Sequence, residues 1–235
     1  MLRFQRFTGM TTFVRAILSR RLSWFDDYEE VVRLYPRLSL WGRLYFPLRF
    51  LICPFRRVEP AVPKWGVVVD IGCGYGLFAN LLAVRSEARQ VTGCDIDPGR
   101  INVARSSVGS RNNICFSVSN KAVTLPSCDA VTLLDVLHHV APDVRLRLLQ
   151  EVFQKLRPGG ELVIKDIDKT PRFKYLWNYL HDWVMTQGKP CYYLGSFEMC
   201  RLLEEIGFVV VPEPLETRDP YPHILYRCTK SKLVS

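Results

Sequence analysis

From Trp65 onward, apolar runs and polar breaks alternate regularly. Short runs rich in Val, Ile, Leu and Phe predict strands near 66–71, 90–95, 113–118, 128–134, 160–166, 207–212 and 223–229. Stretches with helical spacing lie between them and predict helices over 76–84, 98–108, 142–156 and 196–206. Strands that alternate with helices predict a parallel sheet covered on both faces. The run Val67 to Val69 is entirely β-branched, as a buried parallel strand favours. The last two runs, FVVVPEP and HILYRC, are predicted to pair as an antiparallel hairpin that closes the sheet. The expected fold is therefore α/β: a doubly wound, mostly parallel, seven-stranded sheet whose last strand is antiparallel. No internal repeat or low-complexity tract is present.

The chain before Trp65 has a different pattern. Residues 10 to 38 show helical periodicity with acids between 26 and 30, and Pro36, Pro47, Pro54, Pro60 and Pro63 punctuate the approach to the first strand. Two or three helices and a proline-rich connection are expected, making residues 1–63 a helical N-terminal extension of a main domain at 64–235. A second departure lies between Lys165 and Ser196, an insertion at about 168–195. The segment Phe173 to Met185 has amphipathic helical spacing and carries Tyr175, Trp177, Tyr179, His181 and Trp183. An insertion of this length is usually functional or has its own structure. It follows a strand end, where ligands bind in open α/β sheets, so it reads as a helical lid or as an ordinary covering helix.

Composition narrows the picture. A chain of 235 residues, 48% hydrophobic, suits one α/β domain with an appendage. Eight cysteines are present, but no C-x-x-C pair and no Cys/His cluster with zinc spacing, so no metal site is expected and the thiols read as reduced. No apolar run followed by a small-residue cleavage site opens the chain, and a cytoplasmic location is expected. The net charge of +9 is uneven: residues 1 to 60 hold eleven arginines and five acids. Aromatic residues interleave with this basic stretch, among them Trp24, Tyr35, Trp41, Tyr45 and Phe50. Leu44 to Phe55 is its most apolar piece and is too short to span a bilayer, which takes about 20 residues. Residues 1–60 read as a surface for anionic membrane lipid (peripheral, at the inner face), as a cap over the substrate entrance, or as helices packed on the sheet. Nothing in the chain resembles a known RNA-binding module, which argues against a nucleic-acid partner.

The richest stretch is VVVDIGCGYG at 67–76. A strand runs into Asp70, and Gly72, Gly74 and Gly76 follow at alternate positions before a helix. The dinucleotide fingerprint G-x-G-x-x-G cradles a diphosphate on backbone N–H groups. Here the third glycine is shifted, and a carboxylate two residues before the first would repel a diphosphate and attract a cationic amine. The second strand ends in Asp95, twenty-five residues on, where an acid accepts hydrogen bonds from ribose hydroxyls. A nucleoside with a positively charged tail fits both acids, and S-adenosylmethionine is such a nucleoside.

Five pieces in order resemble class I S-adenosylmethionine-dependent methyltransferases: VVVDIGCGYG, GCDID, DAVTLLDVLHHV at 129–140, LRPGGELVI at 156–164 and FEMCRLLEEIGF at 197–208. The resemblance implies a Rossmann-like methyltransferase fold, a methyltransferase domain over 64–235, S-adenosyl-L-methionine as cofactor and S-adenosyl-L-homocysteine as product. It places Asp70, Gly72, Cys73, Gly74, Tyr75 and Gly76 around the methionine part, Asp95 and Ile96 at the ribose, Asn120 at the adenine amine and Asp135 facing the methyl donor.

Methyl transfer is an in-line displacement that needs alignment and exclusion of water, and a base only where the acceptor loses a proton. Asp166, His139 and His181 are the candidate bases, and His138 is a weaker one; Asp166 and Asp168 follow the fifth strand beside the expected acceptor site, or else cap the following segment. The aromatic lid and the basic, aromatic N-terminus favour a small, apolar acceptor such as a lipid, quinone or aryl head group, methylated on oxygen. The alternatives are an N- or C-methyltransferase on a small molecule, an RNA methyltransferase, or a non-catalytic cofactor-binding subunit. The N-P-P-Y-type motif of many nucleic-acid amino methyltransferases is absent, its place reading Leu134-Asp135-Val136-Leu137. Oligomeric state is not legible.

Overall fold

A computed structural model describes residues 23–119, 125–185, 190–215 and 220–231, with the side chains of 23, 177, 180–182, 184 and 185 set aside. Its centre is one seven-stranded sheet in the order β3-β2-β1-β4-β5-β7-β6. The strands are β1 (Gly66–Ile71), β2 (Arg89–Asp95), β3 (Ile114–Val118), β4 (Cys128–Leu134), β5 (Leu156–Ile167), β6 (Phe208–Pro214) and β7 (His223–Lys230). The first five run parallel, and β7 is antiparallel to both β5 and β6. The expected fold class holds. Successive residues on a strand face opposite sides, so Val68 enters one core and Val69 the other. Both faces are covered, which explains why β1 and β4 are rich in apolar residues without strict alternation.

On one face α4 (Leu77–Arg85) and α5 (Pro98–Ser106) pack with the helices before the sheet; on the other lie α6 (Pro142–Lys155) and α8 (Ser196–Ile206). The helices before the sheet are α1 (Ser23–Val32), α2 (Leu40–Ile52) and the single turn α3 (Phe55–Val58). Ser39 caps α2 by accepting from the Gly42 N–H. Val31, Tyr35, Phe46, Phe50 and Phe55 are buried in the same cluster as Val68, Leu77 and Phe78. Much of the aromatic content of this basic stretch is therefore core. Two buried charged groups fasten it down. Asp27, on α1, pairs with Arg85 at the end of α4 at 2.5 Å. Arg89 is fully buried; it donates to the carbonyls of Pro63, Val62 and Leu82 and pairs with Glu59 at 2.7 Å.

One boundary differs from the pattern. The Arg157-Pro158-Gly159-Gly160 turn lies inside β5, which begins at Leu156 rather than near 160. Leu156 still pairs with Cys128, and the register shifts before Glu161 pairs with Ala130. A Cβ on Gly160 would lie 2.8 Å from the Arg157 carbonyl oxygen, so the irregularity needs glycine there. The insertion does form a helix, α7 (Arg172–Met185). Among the described residues, no helix is long and apolar enough to cross a membrane.

Candidate active site

The strand order reverses direction at β1, with β2 on one side and β4 on the other. The crevice at the C-terminal ends of these strands is where an open α/β sheet binds its ligand. The glycine turn occupies it. Gly72 has φ 72° and Gly74 φ 54°, left-handed conformations that glycine adopts without strain. A Cβ on Gly72 would lie 2.4 Å from Val136 Cγ2, whereas one on Gly74 would meet nothing within 4 Å. Gly72 is thus demanded by packing; at Gly74 bare backbone borders open space.

The loop's amides are not arranged for phosphate. Gly72 and Cys73 N–H donate to the Cys94 carbonyl at 2.7 and 3.0 Å, Gly76 N–H to the Cys73 carbonyl at 2.8 Å, and Gly74 N–H to Asp95 Oδ2 at 2.8 Å. These four donors are used within the protein, against a diphosphate cradle.

Asp70 is 2% exposed, and Thr132 Oγ1 donates to its Oδ1 at 2.6 Å. Among the described residues its buried Oδ2 has no hydrogen-bond partner. Burial pushes the Asp70 carboxyl up to about 7, against the Thr132 hydrogen bond, which favours the ionised form. A buried carboxylate with an unsatisfied oxygen calls for a cationic donor, and the amine of S-adenosylmethionine is one. Asp95 also accepts from the Asp97 N–H at its Oδ1, 2.9 Å away. Each of its oxygens keeps a second acceptor site for a ribose hydroxyl. Ile96, beside it, is 78% exposed. Asn120, expected at the adenine, lies outside the described residues.

The N-terminal helices reach into this loop in a way the pattern did not reveal. Tyr35 Oη donates to the Tyr75 carbonyl at 2.6 Å. Asn80, fully buried at the start of α4, donates to Tyr35 Oη, to the Gly76 carbonyl and to Ser107 Oγ, and accepts from Arg111. The Tyr75 ring packs edge-on against Tyr45 of α2 at 5.4 Å. Tyr and Asn are ordinary residues in a helix, so only the tertiary structure shows that they brace the loop.

Beyond β4 the backbone turns sharply at Asp135, whose φ of 57° is the positive value of a non-glycine residue. Its carboxylate meets Lys165 at 2.5 Å and Arg49 of α2 at 2.7 Å. Burial alone would raise the Asp135 carboxyl; the Lys165 and Arg49 cations instead hold it far below the usual range. Asp135 was expected to face the donor directly; what the structure shows at its carboxylate is two cations. Arg49 was not anticipated, because its partner lies 86 positions along the chain.

The candidate bases separate clearly. His138, on the 3-10 turn Leu137–His139, is 4% exposed, and its Nδ1 forms a very short contact with Asp166 Oδ1. Asp166 Oδ1 also accepts from the Ile167 N–H, at 2.8 Å. Asp166 therefore supports His138. The His138 ring stacks on Tyr193 at 5.2 Å, nearly parallel. His139 is exposed, with its Nδ1 3.6 Å from Cys191 Sγ. His181 lies on α7, but its side chain is outside the described residues. Asp168 holds the N–H groups of Lys169 and Ser196, a structural role. Tyr193, Tyr221 and Ile167 form a small apolar cluster, with Ile52 of α2 and Tyr175 of α7 packed against it. Beside the donor crevice there is thus a His–Asp pair with aromatic walls.

A strand, a glycine turn and two acids lie together at the strand ends, and this arrangement suits a cationic nucleoside. The model of the methyltransferase domain family matches residues 48–213, and the chain belongs to that family. It is 37% identical over 109 residues to a ubiquinone biosynthesis O-methyltransferase of Xanthomonas campestris, covering 44% of each chain. It is 36% identical over 107 residues to the tRNA (carboxymethyluridine(34)-5-O)-methyltransferase ALKBH8 of Macaca fascicularis, covering 44% of this chain and 15% of that one. The match spans less than half the length of either relative. Magnesium protoporphyrin IX methyltransferase from Synechocystis PCC 6803, solved with S-adenosylhomocysteine bound, shares the fold with a TM-score of 0.61. It is 19% identical, and the superposition covers 92% of this chain and 100% of that one. S-adenosylmethionine is the cofactor of this class, and Asp70, Asp95 and the glycine turn fit it.

Proposed function

We propose that the chain methylates an oxygen of a small apolar acceptor, such as a lipid, quinone or aryl head group. The observation that carries this reading is the buried His138–Asp166 pair beside the aromatic walls. A hydroxyl acceptor must lose its proton as it is methylated, and a histidine oriented by a carboxylate takes it. Bound S-adenosylmethionine supplies a methyl group on a sulfonium, an electrophile that needs no metal. Asp70 anchors its amine, and Asp95 its ribose. Arg49 and Lys165 fix Asp135 at the end of β4. The cluster of Ile167, Tyr193 and Tyr221, with Ile52 and Tyr175 packed against it, excludes water from the acceptor. The similarity to a ubiquinone biosynthesis O-methyltransferase supports oxygen as the acceptor atom. A cytoplasmic protein lying at the inner face of a membrane suits an acceptor of this kind. A tRNA acceptor is the second reading, favoured by the tRNA methyltransferase relative.

The test offers hydroxylated aryl compounds and total tRNA and follows S-adenosylhomocysteine release. His138→Ala and Asp166→Asn should each lower kcat by roughly 10²- to 10⁴-fold with donor affinity unchanged, while His139→Ala stays within about twofold. Wild-type turnover in His138→Ala would refute the base assignment. Turnover confined to tRNA would refute the small acceptor.

A further inference from the structure

Helix α2 has two faces of opposite use. Its inner face carries buried Gly42, Phe46 and Phe50, sends Arg49 to Asp135 and lays Ile52 on the cluster of Ile167, Tyr193 and Tyr221. Its outer face leaves Leu40, Trp41, Leu44, Leu48 and Leu51 at 80%, 58%, 69%, 46% and 52% exposure. At the helical repeat these five fall within an arc of about 100°. A continuous apolar stripe of this kind marks a contact surface, since isolated exposed leucines would scatter around the helix. Helix α7, whose Tyr175 packs on the same cluster, also exposes Phe173, Leu176 and Trp183, at 72%, 67% and 58%.

Charge identifies the occupant. Residues 31–58 hold six arginines, Arg33, Arg37, Arg43, Arg49, Arg56 and Arg57, and no acid. Arg37 and Arg43, on either side of the first turn of α2, are exposed. A second copy of the chain docked through the same face would set these cations against themselves. An anionic lipid surface is attracted by the arginines and accepts the leucines and the tryptophan into its acyl boundary.

We propose that the outer face of α2 seats on an anionic bilayer, so that the apolar cluster against which Ile52 and Tyr175 pack receives its acceptor from the lipid phase. This rests on the apolar-acceptor reading and adds the surface that delivers such an acceptor. A helix that forms the wall of the site and also lies on the membrane lets an apolar molecule pass from one to the other without crossing water.

The test uses the full chain, without acceptor, and vesicles of phosphatidylcholine with or without phosphatidylglycerol. Co-sedimentation should require phosphatidylglycerol and weaken as salt is raised. The Leu44→Glu/Leu48→Glu variant should lose at least about a hundredfold in vesicle affinity, roughly tenfold or more for each leucine withdrawn from lipid. Both substitutions are at the surface, and unchanged S-adenosylmethionine binding by calorimetry shows that the variant is folded. Equal pelleting of wild type and variant overturns the proposal, as does failure of the wild type to bind phosphatidylglycerol vesicles. So does a dimer in sedimentation velocity that the double variant dissolves while vesicle binding is absent. Donor binding and turnover are separate readouts, so failure at the vesicles leaves the methyltransferase reading standing, and the reverse also holds.

Discussion

Asp70 sits ionised only at a cost, and its proposed role as anchor of the donor amine makes that cost visible in the pH dependence of donor binding. Burial raises its pKa from 3.8 to about 7, which corresponds to about 4 kcal/mol against the carboxylate in the free protein. The amine of S-adenosylmethionine stays protonated below about pH 7.7 and binds only the ionised form. Donor affinity should therefore fall by about 15-fold between roughly pH 7.5 and 5.5, as Asp70 takes up a proton. Isothermal titration across that range measures the slope. Asp70→Asn keeps the shape and the acceptor for Thr132 but removes the charge. It should lower donor affinity by about ten- to hundredfold at neutral pH and abolish the slope. The sign for stability is opposite. The folded state holds the proton more tightly than the unfolded one, so this group's contribution to the ligand-free protein declines as pH rises from about 4 through 7. Asp70→Asn should remove that decline. Flat donor affinity across the range in the wild type, or wild-type affinity in Asp70→Asn, would refute the assignment of Asp70 to the amine.

Tyr35→Phe removes the hydroxyl that donates to the Tyr75 carbonyl and receives from Asn80. It should weaken donor affinity by about three- to tenfold and lower stability by about 1 kcal/mol, checked by calorimetry and urea unfolding. Gly74→Ala introduces a Cβ that meets no protein atom, so it should cost only about 1 kcal/mol of stability, yet lower donor affinity sharply because the methyl group fills ligand space. Gly72→Ala meets Val136 and should instead lose stability first, by about 2 kcal/mol or more in a thermal melt.

The sheet was legible because its strands are buried on both faces. Val67 to Val69 is an apolar run that a half-exposed strand would interrupt, and Val131 to Leu134 is interrupted only by the buried Thr132. The juxtaposition of the glycine turn with Asp70 and Asp95 was legible for a related reason: these residues lie in short contiguous segments at two strand ends. The parts that were hidden connect distant segments. Arg49 reaches Asp135, Tyr35 reaches the glycine turn, and His138 meets Asp166 across 28 positions. No local pattern distinguishes an arginine that neutralises a buried acid from one that is solvated. The two histidines at 138 and 139 are equivalent in sequence, and only the turn after β4 decides which of them is buried against Asp166. The break in β5 was hidden because Pro-Gly-Gly signals a turn, and here the turn is absorbed into the strand.

The hydrogen bond from Tyr35 to the Tyr75 carbonyl has a practical consequence for dissecting the chain. Cutting at the start of β1 would look like removal of an accessory segment. It would also take away the brace of the donor loop and, with Arg49, one of the two cations that hold Asp135. A truncated protein that no longer binds S-adenosylmethionine would therefore report a collapsed loop. Questions about the outer face of α2 have to be asked by surface substitution in the intact chain, and a catalytic domain borrowed for a chimera should begin no later than α1.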